Sequence, residues 1–173
     1  MTTTAQPREP EMGDLRMEEE IDRDDRKRNW LDEFEEFEAY DVSRDIIQKF
    51  AAIGLRFFDL SLGRQIFVGE GSEQKIAEFD LVLENRDAIL GVEVEVKPSK
   101  EHVRSLVRRL EIFRLNKDKR GDKRKIYGAI AGATISRSVK AYALKTGFYV
   151  IVQTEDKDTI KIDIPKDFVP KSW

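Results

Sequence analysis

Residues 76–100 read IAEFDLVLENRDAILGVEVEVKPSK, and the fold turns on this stretch. Ala77, Phe79, Leu81 and Leu83 alternate with Glu78, Asp80 and Val82, the period of two that a half-buried strand imposes. Asn85-Arg86-Asp87 supplies a tight turn, so residues 88–97 read as the returning strand of a hairpin. Val92, Val94 and Val96 then share one face, expected in the core. Glu93, Glu95 and Lys97 share the other, expected to be open. Pro98 ends the strand, because it has no N–H to give to a ladder. Ser99 is a good helix N-cap, and Glu101 stands in the first turn, where the helix dipole favours an anion. Val103, Leu106, Val107, Leu110 and Phe113 carry the helical stripe, with Arg104, Arg108 and Arg109 off it.

Working outward, the spacing predicts a helix over 43–54, with Ser43 as cap and Gly54 as stop. Residues 55–62 form an apolar bridge with no clear period, and 64–69 read as a short strand. After the central helix, 117–125 (KDKRGDKRK) reads as a basic loop. Residues 126–133 read as a central buried strand, 136–146 as a helix ended by Gly147, and 148–153 and 159–164 as two further strands. Helix, three strands, helix, strand, helix, two strands is an α/β order with a mixed sheet. Upstream, residues 1–13 are polar, carry Pro7, Pro10 and Gly13, and are expected to be disordered. Residues 14–42 form an acidic helical arm in which Trp30, Phe34 and Phe37 fall on one stripe. The α/β domain is expected to span 43–173.

Composition narrows the function. The 173 residues suit one domain with an appendage. With no cysteine, disulfides and thiolate metal sites are excluded, and the single histidine, His102, rules out a multi-histidine zinc site within one chain. His102 stands in the first turn of a predicted helix, a capping or solvated position. No apolar run approaches the ~20 residues that span a bilayer, and the N-terminus has no signal-peptide core, so a cytoplasmic protein is expected. Residues 1–45 hold 7 Lys+Arg against 16 Asp+Glu, a net of -9; residues 46–173 hold 24 against 18, a net of +6. An acidic arm is joined to a basic body, which suits a polyanionic partner.

The chemistry gathers around the hairpin. Asp80 lies on the face opposite Phe79 and Leu81, where pairing can bring it near the carboxylates of the next strand. Two carboxylates that close repel unless a cation lies between them. Mg²⁺ takes such hard oxygen ligands, and a neighbouring lysine can orient the attacking water and offset phosphoryl charge. On pattern alone, Glu-x-Glu-x-Lys is more often just the wet face of an amphipathic sheet.

The run Phe79-Asp80, then Glu95-Val96-Lys97, then Pro98-Ser99 and a helix resembles the PD-(D/E)XK, or restriction-endonuclease-like, nucleases. The surrounding segments KIYGAIAGATISRSVKAYALKTGFYVI and DFVPKSW extend the likeness to an uncharacterised prokaryotic branch over roughly residues 64–173. The resemblance implies a restriction-endonuclease-like sheet flanked by helices and a Mg²⁺- or Mn²⁺-dependent DNA endonuclease. Asp80 and Glu95 would be metal ligands helped by the backbone carbonyl of Val96, and Lys97 would position the water. Such enzymes usually carry a further Glu on the helix before the core. Neither Glu38 nor Glu70 fills that place, and Glu93 is extra. Arg104, Arg108, Arg109, Lys123, Arg124 and Lys125 are the candidate phosphate contacts. The alternative is a nuclease fold without cleavage, binding nucleic acid or assembling as a homo-oligomer or with a protein partner through residues 29–40.

Overall fold

The computed structural model describes residues 39–67, 69, 71–156 and 159–173. The expected disorder over 1–13, the Trp30 stripe, all but the last two residues of the 29–40 docking segment, and Glu70 lie outside them. The chain runs α1 (Ala39–Ala52), β1 (Asp59–Phe67), β2 (Lys75–Glu84), β3 (Ala88–Glu95), α2 (Lys100–Lys119), β4 (Lys125–Gly132), α3 (Arg137–Thr146), β5 (Tyr149–Gln153) and β6 (Ile160–Ile162). The described strands form one six-stranded sheet in sequence order. β1, β2 and β3 are antiparallel neighbours, β4 and β5 continue parallel to β3, and β6 is antiparallel to β5. Each parallel step needs a crossover, which α2 and α3 supply. No helix among the described residues is long and apolar enough to cross a membrane.

Both faces of the sheet are covered, so β3 and β4 read as nearly continuous apolar runs. On one face Leu81, Leu83, Leu90, Val92, Val94, Ala129 and Tyr149 pack with Ile46 and Phe50 of α1 and with Phe57. On the other, Phe79, Val82, Ile89, Ile130 and Phe148 lie beneath Val103, Leu106, Leu110 and Phe113 of α2 and Val139 and Ala143 of α3. Phe50 is fully buried and meets Phe57 and Tyr149 edge-on, at 5.7 and 5.3 Å between centroids. Phe50→Ala would therefore cost about 3–5 kcal/mol. Gly128 allows close packing: a Cβ there would stand 2.6 Å from Phe148 and 2.7 Å from Leu110.

Several boundaries differ from expectation. α1 begins at Ala39, so Ser43 lies within the helix rather than capping it, while Gly54 does stop it, with φ +96°. The unassigned bridge contains the first half of β1, which starts at Asp59. α2 continues to Lys119, so the basic loop shrinks to the turn before β4. β3 ends at Glu95, leaving Val96 and Lys97 beyond the strand.

The largest difference is in β2. Ala77 and Phe79 pack under α2, whereas Leu81 and Leu83 pack on the α1 face, so the predicted single apolar face is divided. Gly63, opposite Asp80, has φ +57°, and this pair is missing from the β1–β2 ladder although the register is the same on both sides. No residue is inserted. The ribbon turns about this point, and glycine supplies the left-handed conformation that an L side chain resists.

Candidate functional site

The β2–β3 ladder stops at Leu81–Val92, so the outer part of β2 leaves β3 and a fork opens at Asp80. Val94, just past the last pair, would otherwise present its N–H to an absent strand, and a buried N–H without a partner is strongly disfavoured. Asp80 Oδ2 accepts that N–H at 2.8 Å. The carboxylate replaces the carbonyl of the departed strand, which fixes it one residue from Glu95. β3 is held on its other edge by β4, with Glu93, Val94 and Glu95 opposite Ile130, Ala131 and Gly132.

After Glu95 the chain turns sharply. Pro98 lies on Gly132, where a Cβ would stand 2.6 Å from the proline ring. The Val96 carbonyl accepts the N–H groups of Ala133 and Thr134 at 3.1 and 3.2 Å. Both its lone pairs are thus engaged within the fold, and the help expected from this carbonyl in holding a metal would require giving up a bond. Lys97 is exposed beside it.

α2 starts at the same corner. Ser99 Oγ accepts from the His102 N–H, and His102 Nδ1 accepts from the Ser99 N–H at 3.0 Å, a reciprocal cap. With Nδ1 accepting, the neutral ring carries its proton on Nε2, and that nitrogen faces Glu95 Oε1 at 3.6 Å. The capping role expected for His102 is present, together with an unforeseen contact to Glu95.

Glu93 does not share an open face with Glu95 and Lys97. Its side chain is fully buried, and Arg109 Nη1 donates to its Oε2 at 2.8 Å. The reason is α2, which covers this face. Arg109 lies on the inner surface of the helix, not on a surface offered to phosphate. A signal for this was present: His102, Leu106, Arg109 and Phe113 follow a helical period, which puts Arg109 in line with two core residues.

The other cations divide. Arg104 and Arg108 are exposed and both hold Glu101, at 2.9 and 3.1 Å. Hydrogen bonds from these guanidinium groups keep the Glu101 carboxyl below its ordinary range. Lys123 and Lys125 are exposed, with Lys123 3.2 Å from Asp118. Arg124 is drawn inward. It donates to Asp122 at 2.7 Å and to the Asn85 carbonyl at 3.0 Å, and it pairs with Glu84 at 3.0 Å. Its hydrogen bonds hold the Asp122 carboxyl well below the usual aspartate range.

Asp80, bonded to the N–H of Val94, and Glu95, the next residue along β3, are hard oxygen donors, the type that Mg²⁺ takes alongside waters and substrate oxygens. Among the described residues no group of three or more His, Cys, Asp or Glu side chains is placed to hold a metal by itself. Two carboxylates are within the number that Mg²⁺ takes from protein, with water or other oxygens completing its shell. Family models, curated proteins and solved structures give no match to this chain.

Proposed function

We propose that this chain is a Mg²⁺- or Mn²⁺-dependent phosphodiesterase acting on DNA in the cytoplasm, built on a restriction-endonuclease-like, PD-(D/E)XK core. The observation that carries the reading is the Asp80–Val94 hydrogen bond. It ties an aspartate of one strand to the residue before Glu95 on the next, at the corner that Glu95, Val96 and Lys97 form. Asp80 and Glu95 would hold the ion. Bound there, the ion supplies Lewis-acid polarisation of the phosphate and a more acidic water. Lys97, exposed two residues beyond Glu95, orients the attacking water and offsets charge on the phosphoryl oxygens. His102 Nε2 steadies Glu95 from the side away from substrate. The exposed Arg104, Arg108, Lys123 and Lys125 are available to the DNA backbone.

The bonds already made by the Val96 carbonyl favour a second reading, a nuclease fold that binds nucleic acid or assembles with partners without cutting. Supercoiled plasmid and single-stranded DNA, incubated with protein and Mg²⁺ or Mn²⁺, separate the two. The enzyme predicts metal-dependent nicking that falls about 100-fold or more in both Asp80→Ala and Lys97→Ala. Binding that EDTA leaves unchanged, with no nicking, replaces the first reading with the second.

A further inference from the structure

Arg109 projects from the middle of α2 into the fork between β2 and β3. Its Nη1 donates to Glu93 Oε2 and to the Glu78 carbonyl, both at 2.8 Å, and its Nε to the Ser105 carbonyl at 3.4 Å. The guanidinium carbon lies 5.9 Å from the centre of the Phe79 ring. Glu93 is fully buried. Fold stability alone does not call for ions here, since well-packed apolar residues of similar volume often serve as well or better. An apolar pair cannot, however, grip a peptide carbonyl on one strand and a carboxylate on the next. That grip falls where the β2–β3 ladder has ended. Glu78 is two residues before Asp80. Glu93 is next to Val94, whose N–H holds the Asp80 carboxylate. Arg109 therefore bridges both sides of the hydrogen bond that places Asp80.

We propose that Arg109 and Glu93 form a positioning pair that sets the width of the fork and so aims Asp80 at the Glu95 corner; this rests on Asp80 being the ion-holding residue proposed above. Arg109 touches neither ion nor DNA in this scheme and acts through Asp80. Deleting the arginine alone would strand a buried carboxylate and endanger folding, so the test removes both charges together. The double variant Glu93→Met/Arg109→Met is expected to stay folded. Its Val94 amide should exchange about tenfold faster or more relative to Leu90 and Val92, because only the Asp80 bond has loosened. Its affinity for Mn²⁺, titrated calorimetrically, should fall about 10–100-fold.

Arg109→Lys keeps a positive charge beside Glu93 but not the planar fork, and should move both readouts in the same direction. A folded double variant that keeps the wild-type Val94 exchange rate and Mn²⁺ affinity would overturn the proposal and reduce the pair to core packing. If the unaltered protein takes up no Mn²⁺, the phosphodiesterase reading falls. The exchange rate still decides the pair's role: lost protection upholds it and retained protection overturns it.

Discussion

The two ends of α2 handle charge in opposite ways. Towards its N-terminal half Asp80 is bonded to Val94 at a fork in the sheet, Glu95 and Lys97 follow on the same chain, and the buried Glu93 pairs with Arg109 of the helix. At its C-terminal end, where the sequence is richest in lysine and arginine, several cations are tied to acids. Arg124 joins Asp122 and Glu84, Lys117 lies 3.4 Å from Asp122, and Arg114 lies 3.0 Å from Asp118. A basic run in a sequence is therefore not wholly a basic surface: Lys117 and Arg124 turn inward, whereas Lys119, Arg120, Lys123 and Lys125 stay exposed. The first end keeps Lys97 exposed two residues beyond Glu95, and the second pairs part of its charge with its own acids.

The strongest way to break this contrast is to exchange the consequences of one substitution at each end. Lys97→Ala should lower metal-dependent nicking about 100-fold or more and leave unfolding in urea nearly unchanged. Arg124→Ala should do the reverse. It leaves the partly buried Asp122 carboxylate without its main donor and Glu84 with Arg64 alone, and should lose about 2 kcal/mol of stability, with nicking per folded molecule intact. Equal loss of nicking in the two variants would show that the ends are not separate.

A smaller effect sharpens the same point through pH. Arg124 holds the folded Asp122 carboxyl below its ordinary value of 3.8. A depressed pKa stabilises the fold fully above the unfolded value, and that stabilisation is lost as pH falls below it. Urea unfolding of the parent should therefore weaken between neutral pH and about pH 3 more than that of Asp122→Asn. Parallel curves would remove Asp122 as a source of the acid sensitivity.

The smallest effect concerns the surface of the first turns of α2. Glu101→Gln releases Arg104 and Arg108 from their shared carboxylate. DNA binding should tighten a few-fold at low salt, with a slope against salt steeper by about 1–2 phosphate contacts. An unchanged slope would mean that this face does not meet DNA.

Much of the architecture was legible from residues. Strict alternation gave β2, the Asn85 turn and β3, and the Ser99 cap and the Leu106–Phe113 stripe gave α2. β1 was half missed because it is an outer strand with irregular exposure: Leu62 is 58% exposed, and Phe58 just before it is 72% exposed, so no inside–outside pattern marks its start. The change of face in β2 left no trace, because Phe79, Leu81, Val82 and Leu83 are all apolar and either face accepts them. Alternation marks Asp80, Glu93, Glu95 and Lys97 alike, and the resemblance alone prefers Glu95; nothing in the pattern shows that Glu93 is buried. A strand covered on both sides gives its charged residues no open face, and only the helical position of Arg109 hinted at the partner waiting there.

The turn at Gly63 has a consequence for how copies of this chain behave at high concentration. A nine-residue border strand, straight and partly oily, would be a template on which another molecule could add its own backbone, the first step toward insoluble aggregates. Twisted in the middle, it offers two short segments that face different directions, and an incoming ribbon can follow neither for long. Among the described residues β1 borders the sheet, and the bend that sends β2 away from β3 therefore also makes that border a poorer template for another copy.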